Sequence, residues 1–426
     1  MSKSIILFLT ALCFASSAEL TAQVDTLTID KCVDIALKNN PLIKIAESNY
    51  DIASSNLIGT RSILMPQVSL QSNYNKNGGY FFIGPTARQS DYENYSIGLQ
   101  ATQLIFDFGK TYSRVSANSD LEDASVQDLA AAKQNLILNT YIAYFTYLQA
   151  HRIKKVNEES LQQAEEHLNE AEKFYEIGTK PQFDVLKAKT DEANAKVNLL
   201  TAENNLTVSR LQLENVLNTK LGNNFALKDN LELSKDTISI NEALNTSLEN
   251  RPELIGMKMR LEASKSFVTS AWAANLPSIN ATGGYTWRGY ALNQQFLNSW
   301  NVGLSFSLPL FQGFALQAGI DQANANLVNT EAQFDVVKQN INLDVQQQYT
   351  SVKIATAKIN AAKSLVQQAE ETFKLAEGRY KEGVGSPIEI TDARVTLLNA
   401  QTTYIQALYD YQVAFVRLQK SMGTLH

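Results

Sequence analysis

The chain is written twice, and this constrains its fold more than any other feature. The segment Leu27-Thr28-Ile29-Asp30 through Asn39-Asn40-Pro41 returns as Ile238-Ser239-Ile240-Asn241 through Asn250-Arg251-Pro252, and the same offset carries Met65-Pro66 onto Leu276-Pro277. Further on, Ile97-Gly98-Leu99 matches Val302-Gly303-Leu304, Leu104-Ile105-Phe106 matches Pro309-Leu310-Phe311, and Tyr175 with Gly178 matches Tyr380 with Gly383. A duplication of this length with no Gly/Ser- or Pro-rich linker implies one continuous body made of two like halves. The expected division is a leader at 1–22, a first repeat at 23–221, a connection at 222–237 and a second repeat at 238–426.

The N-terminus reads as a secretory signal peptide. Lys3 precedes an apolar run from Ile5 to Phe14 and then the small residues Ala15-Ser16-Ser17-Ala18, with cleavage expected after Ala18 or Ala22. Lipidation at Cys13 is disfavoured, because Leu12 stands where a small residue should precede the modified cysteine. Once the leader is removed only Cys32 is left, so no internal disulfide is expected, and its place on an apolar helical face makes it core. No run of roughly twenty apolar residues occurs, which excludes a transmembrane helix. A net charge of −6 with scattered Lys and Arg leaves no electrostatic footprint for nucleic acid.

Four short segments alternate with period two. Val68 to Tyr74, Tyr95 to Thr102, Ile279 to Arg288 and Trp300 to Leu308 place apolar side chains on one face and Gly, Ser, Thr, Asn and Gln on the other. The strands are expected at about 66–80, 92–105, 277–290 and 298–310. Tyr80, Phe81, Phe82, Tyr92, Tyr95, Tyr285, Trp287, Tyr290 and Trp300 gather near strand ends and hairpin tips, as in an interfacial girdle. A soluble sheet with one wet face shows the same alternation. In an exported chain, though, the polar face suits a watery lumen. About four strands are too few to close a lipid-embedded barrel, so several chains would have to share one.

Between the strand pairs lie stretches free of Gly and Pro, Lys110 to Ile177 and Ile320 to Glu377. Leu161, Ala164, Leu168, Ala171 and Tyr175 step by three and four, and Val366, Ala369, Phe373, Ala376 and Tyr380 repeat the rhythm. Returning helices are expected to carry matching seams at Leu186, Thr190, Ala193, Val197 and Leu200, and at Thr391, Val395, Leu398, Thr402, Ile405 and Tyr409. These read as two antiparallel coiled-coil hairpins. Their tips fall near 178 and 383, with Gly178 and Gly383 supplying the left-handed stop and Pro181 and Pro387 opening the next helix. Ser386 and Glu389 have capping-box spacing, whereas Asp392, one turn on, has no such structural reason to be acidic.

Taken with the Asn-x-Pro helix ends at Pro41 and Pro252 and the joints Leu104 to Gly109 and Leu308 to Gly313, the duplicated Tyr-x-x-Gly tips resemble the TolC-like outer-membrane efflux channel family over both repeats. The resemblance implies a mainly helical fold with a small β portion. Its tandem antiparallel helical hairpins and β-hairpins would form a homotrimer: an α-helical barrel in the periplasm capped by a twelve-stranded β-barrel in outer-membrane lipid. It further implies passive export with no cofactor, coupled to an inner-membrane pump through a periplasmic adaptor. By spacing from Gly383, Glu389 and Asp392 fall on positions that form an acidic ring at the periplasmic entrance. Tyr380 and Asp184 fall on positions that hold the tips closed, and the tips at Gly178, Thr179, Gly383, Val384 and Gly385 are where an adaptor would dock. Gly385 departs from the family, whose closing network can carry an arginine there, while Lys180 holds the equivalent place in the first tip.

His151, His167 and His426 lack metal-ligand spacing, and no phosphate-binding Gly loop or nucleophile elbow occurs, so neither a metal site nor an enzyme is expected. The competing class is a soluble periplasmic coiled-coil adaptor or scaffold.

Overall fold

The computed structural model describes residues 25–83, 85–222, 225–229, 238–290 and 295–425. The expected leader at 1–22 and most of the connection at 222–237 lie outside these residues.

Two elements run in each half before its sheet strands. Helix α1 (Ile29–Asn39) is capped by Thr28 and gives way at Asn40 to α2 (Pro41–Ser62), whose first residue is the proline. The same break joins α5 (Ile240–Asn250) to α6 (Pro252–Ala273). A proline at the first helical position loses no hydrogen bond, since that N–H has no partner within the helix. The two junctions are held by different chemistry. The Asn40 side chain accepts from Leu42 N at 3.0 Å and donates to Val216 O at 2.8 Å. Its counterpart Arg251 is buried and donates to Glu253 at 3.0 Å, to Asp344 at 2.8 Å and to Ser421 O at 3.2 Å.

Four strands form one antiparallel sheet in the order β2-β3-β5-β6: β2 (Gln67–Ile83), β3 (Thr86–Phe106), β5 (Ser278–Gly289) and β6 (Leu297–Ser307). The register lines up Leu70, Leu99, Tyr285 and Trp300 in one cross-strand row, and Ser69, Gln100, Gly284 and Asn301 in the next. Successive rows therefore alternate between an apolar and a polar face, as the period-two pattern requires.

The first hairpin is longer than expected. Its strands run on to Ile83 and begin at Thr86, beyond the expected ends near 80 and 92, and the directly opposed Lys76 and Glu93 make an ion pair at 3.6 Å. Strand β6 stops three residues earlier than expected because Pro309 has no N–H to give to a ladder. A bulge at Ile105, between the pairs Leu104–Asn280 and Phe106–Ile279, bends β3 where the sheet meets the helices. Both outer strands, β2 and β6, have one edge unpaired among the described residues.

The long helices are α3 (Lys110–Glu176) and α7 (Ala315–Lys381), each 67 residues. At about 1.5 Å per residue each is roughly 100 Å long. Helix α7 begins before, and ends after, its expected span, passing through Gly319 and Gly378. They turn back into α4 (Gln182–Leu217) and α8 (Pro387–Ser421). The α7 seam is as expected, with Ala369, Ala376 and Tyr380 buried. On the returning helices the expected seams lie off the packed face along α4 and the tip half of α8, whereas Ile405 and Tyr409 of the α8 seam are buried as expected. Helix α4 buries Val185, Ala188, Ala195 and Ala202 while Leu186, Val197 and Leu200 are exposed, and the tip half of α8 buries Ile390, Ala393, Leu397 and Ala400 instead of Thr391 and Val395. Alanine lets the helix backbones approach closely, so the small residues take the inner face and the larger apolar ones are left outside.

Midway along the helices, the parallel pair β1 (Asp25–Leu27) and β4 (Phe225–Leu227) packs over the main core, which includes Cys32, Leu136, Ile137, Tyr144, Phe145, Leu213, Leu217 and Tyr409. Burial pushes the free Cys32 thiol up to about 11. No described helix is long and apolar enough to cross a membrane.

Where α8 ends, Gly423 sits at φ +75°, and a Cβ there would lie 2.6 Å from the carbonyl of Asn250. Gly423→Ala therefore combines a left-handed penalty with a backbone clash and should cost more than about 2 kcal/mol. The expected outcome is a lower midpoint of heat-induced helix loss, read by circular dichroism in detergent; an unchanged midpoint would refute the close approach.

Candidate functional site

The helical tips carry most of the residues singled out by sequence. At the first, Gly178 adopts φ +75° and Thr179 N donates to Phe174 O at 2.9 Å. At the second, Gly383 adopts φ +80° and both Val384 N and Gly385 N donate to Arg379 O, at 3.0 and 2.8 Å. Left-handed glycines thus satisfy the last helical carbonyls at both ends. Ser386 caps α8, its Oγ accepting from Glu389 N at 3.2 Å, with Pro387 at the first helical position. Gly178, Thr179, Gly383 and Val384 are all exposed.

Behind the tips the two hairpins are clasped together. The fully buried Tyr380 donates its hydroxyl to Asp184 Oδ2 at 3.4 Å, joining α7 to the first turn of α4. Burial, and then the Asp184 carboxylate, push the Tyr380 hydroxyl up to about 12. The Lys180 ammonium stands 4.6 Å above the Tyr380 ring, and His167 meets the same ring edge-on at 4.8 Å. Deeper in, Thr391 Oγ1 donates to Asp191, and on the flank Lys381 pairs with Glu170 at 3.6 Å. Tyr380 and Asp184, paired from the family resemblance, are thus in contact across the two repeats. Tyr175, the sequence counterpart of Tyr380, is 47% exposed and takes no part, so the duplication is broken at its most informative aromatic.

Three features of the tips could not be read from spacing. A Cβ on Gly385 would lie 2.8 Å from Tyr380 N and 2.9 Å from the Arg379 carbonyl carbon, so the turn has no room for the arginine that the family can carry. The cation over Tyr380 comes instead from Lys180 in the other tip. Glu389 is paired with Arg379 at 3.3 Å, reached from the opposite arm of its own hairpin. Asp392 is exposed and has no cation within ion-pair distance among the described residues. Arg394 was missed altogether: it is buried on α8, and its Nε meets no hydrogen-bond partner. Among the described residues no group of three or more His, Cys, Asp or Glu could hold a metal ion.

Residues 32–219 and 243–424 match the family model described as outer membrane efflux protein. The chain belongs to that family. It is 26% identical over 404 residues to the outer membrane protein TolC of Escherichia coli, spanning 91% of this chain and 80% of that one. Among solved structures it resembles a membrane protein from Pseudomonas aeruginosa with a TM-score of 0.85 at 20% identity, covering 93% of this chain and 92% of that one. It also resembles CusC with a TM-score of 0.83 at 20% identity, covering 93% and 92%. The protein is thus an outer-membrane efflux channel component, and the soluble adaptor alternative falls. The family consists of passive channels and is not a known enzyme family.

The packing at Gly385 makes a sharp forecast. Gly385→Ala should force the Arg379–Gly385 turn open, speeding amide exchange at Val384 and residue 385 at least tenfold while leaving exchange at the Gly178 tip unchanged. Unchanged protection at the second tip would mean the turn has slack.

Proposed function

We propose that three copies of this chain build one export duct, with a twelve-stranded barrel in outer-membrane lipid and a continuous α-helical barrel below it. The observation that carries this reading is the sheet with two free edges. Four strands expose the backbone groups of β2 and β6, and hydrocarbon offers nothing to pair with them. Pairing β6 of one copy with β2 of the next removes every edge. Three copies then give twelve strands, within the range of known barrels.

The helices support the same ring. Near the sheet the packed order is α2-α3-α6-α7, and along the hairpins, before the clasp brings α7 onto α4, it is α4-α3-α8-α7, so α2, α4 and α7 are the flanks there. Those flanks carry exposed apolar residues: Leu42, Ile45 and Ile52 on α2, Leu186, Val197 and Leu200 on α4, and Val328, Val336 and Leu365 on α7. A neighbouring copy would cover them.

In this reading the apolar sheet face meets lipid and the polar face lines water. The clasp of Tyr380 with Asp184 and Lys180 holds the periplasmic end closed. Asp392, with Glu389 contributing less because of its Arg379 partner, forms the acidic ring at the entrance. The exposed tips at Gly178-Thr179 and Gly383-Val384-Gly385 receive a periplasmic adaptor, which couples the duct to an inner-membrane pump. The channel itself performs no chemistry; cargo moves passively down the bore. The direct test is reconstitution of the mature chain in planar bilayers, where a trimer conducts and a soluble monomer does not.

Two outcomes follow. Leu304→Arg, on the apolar face and 77% exposed in the single chain, should cost about 2–4 kcal/mol if it lies near the midplane and should deplete assembled trimer. The adjacent Ser305→Arg should assemble nearly normally; equal damage from both would contradict the facing. In single-channel recordings, Asp392→Asn should remove most of the block by a trivalent cation, and Glu389→Gln should remove much less. If the double variant keeps both block and cation preference, there is no acidic ring.

A further inference from the structure

His167 occupies a position that the efflux reading leaves unexplained. It lies on α3, 4% exposed, in the interior of the clasp, and neither ring nitrogen meets a hydrogen-bond partner among the described residues. A buried imidazole without a partner is costly to keep, and an apolar residue could fill the same space. Its one specific contact is the edge-on approach to the Tyr380 ring, the same ring that donates to Asp184 and lies under Lys180.

We propose that His167 is an acid-triggered release for the tips: when its ring takes up a proton it must leave the packed interface, and the Tyr380 clasp opens with it. The proposal rests on the reading of that clasp as a gate.

Four helices present charge to this ring. From α8 the buried Arg394 opposes a proton, and from α4 so does Lys187; Asp191 on α4 and Glu377 on α7 favour one. Glu170, on the histidine's own helix, is engaged by Lys381. The carboxylates do not compensate, because Asp191 is already held by Lys187 at 2.5 Å and by Thr391. Burial dominates, followed by Arg394, and together they bring His167 down from its ordinary 6.5 to about 4.

The direction follows by linkage. A folded-state value below the free one favours the closed form above pH 6.5, and that advantage is lost as pH falls from 6.5 toward 4. If opening frees the ring to its ordinary value, the opening equilibrium should rise roughly 30-fold between pH 7.5 and 5. The aspartates and glutamates of the clasp also take up protons in acid, so the test must isolate the imidazole.

The experiment is single-channel recording of the reconstituted trimer from pH 7.5 to 5, on the natural chain, His167→Phe and His167→Gln. Phenylalanine keeps the edge-on contact and glutamine keeps a neutral polar group, and neither takes up a proton in this range. The natural chain should open steeply below pH 6.5, and either variant that assembles should lose at least nine-tenths of that response. A natural channel that does not respond to acid overturns the proposal, as do variants that respond as fully as it does. Tyr380→Phe at pH 7.5 tests the gate reading separately. If it leaves conductance unchanged, the clasp is no gate, whatever His167 does.

Discussion

An unpaired strand edge is the constraint on which the rest of the structure turns. Each backbone N–H or C=O left without a partner in hydrocarbon costs several kcal/mol. A sheet of four strands leaves two such rows, on β2 and β6. No rearrangement within one chain removes them, because four strands cannot close around a lumen. On the proposed reading the chain is completed by copies of itself, and its other oddities fit that proposal. Val302 and Leu304 stand about four-fifths exposed on the outer strand, and the flanks of α2, α4 and α7 carry leucine, isoleucine and valine facing away from the protomer. In a soluble monomer these would be liabilities. In a ring with one face toward lipid they are contact surfaces.

The same logic explains how the helices divide their side chains. Within a hairpin the seam is rich in alanine, with Ala171 on α3 packed with Val185 and Ala188 on α4, and Ala369 on α7 packed with Leu397 and Ala400 on α8. Close-packed pairs form stiff staves, while the larger apolar groups remain for joints between staves. Where the hairpins meet near the tips, the charged or titratable side chains Asp184, His167, Asp191 and Arg394 are buried together. Buried polar contacts are directional and costly to leave unsatisfied, which is why the proposed gate is placed at this stretch.

Much of this was legible in the residues, and the failures have physical causes. The duplication, the strand alternation, the helix breaks at Pro41 and Pro252 and the left-handed Gly178 and Gly383 are local features that a short window contains. Periodicity finds every apolar stripe, so the expected seam leaves the packed face on α4 and on the tip half of α8, while Ile405 and Tyr409 farther along α8 are buried as expected. Leu186 and Val197 scored as core by size, whereas Val185 and Ala188 are core by geometry. The partners of the tip residues are long-range. Nothing between Ser386 and Ala393 announces that Arg379 turns toward Glu389, and nothing near Gly385 reveals that Tyr380 N closes off its space. The place of His167 among Ser160, Ala164 and Ala171, three and four residues apart, marks it as a seam residue, which metal-ligand spacing alone does not show.

In the proposed trimer β6 of one copy pairs with β2 of the next. Single cysteines introduced on the two edges, one along Gln67–Tyr74 and one along Trp300–Ser307, test it directly when pairs are scanned through successive registers and oxidised in the membrane. Native Cys32 is buried and should not interfere. The account requires that a subset of pairs, spaced by two residues, yields a covalent trimer on a denaturing gel. Uncross-linked chains in every register, or a ladder of dimers that never closes, would contradict it.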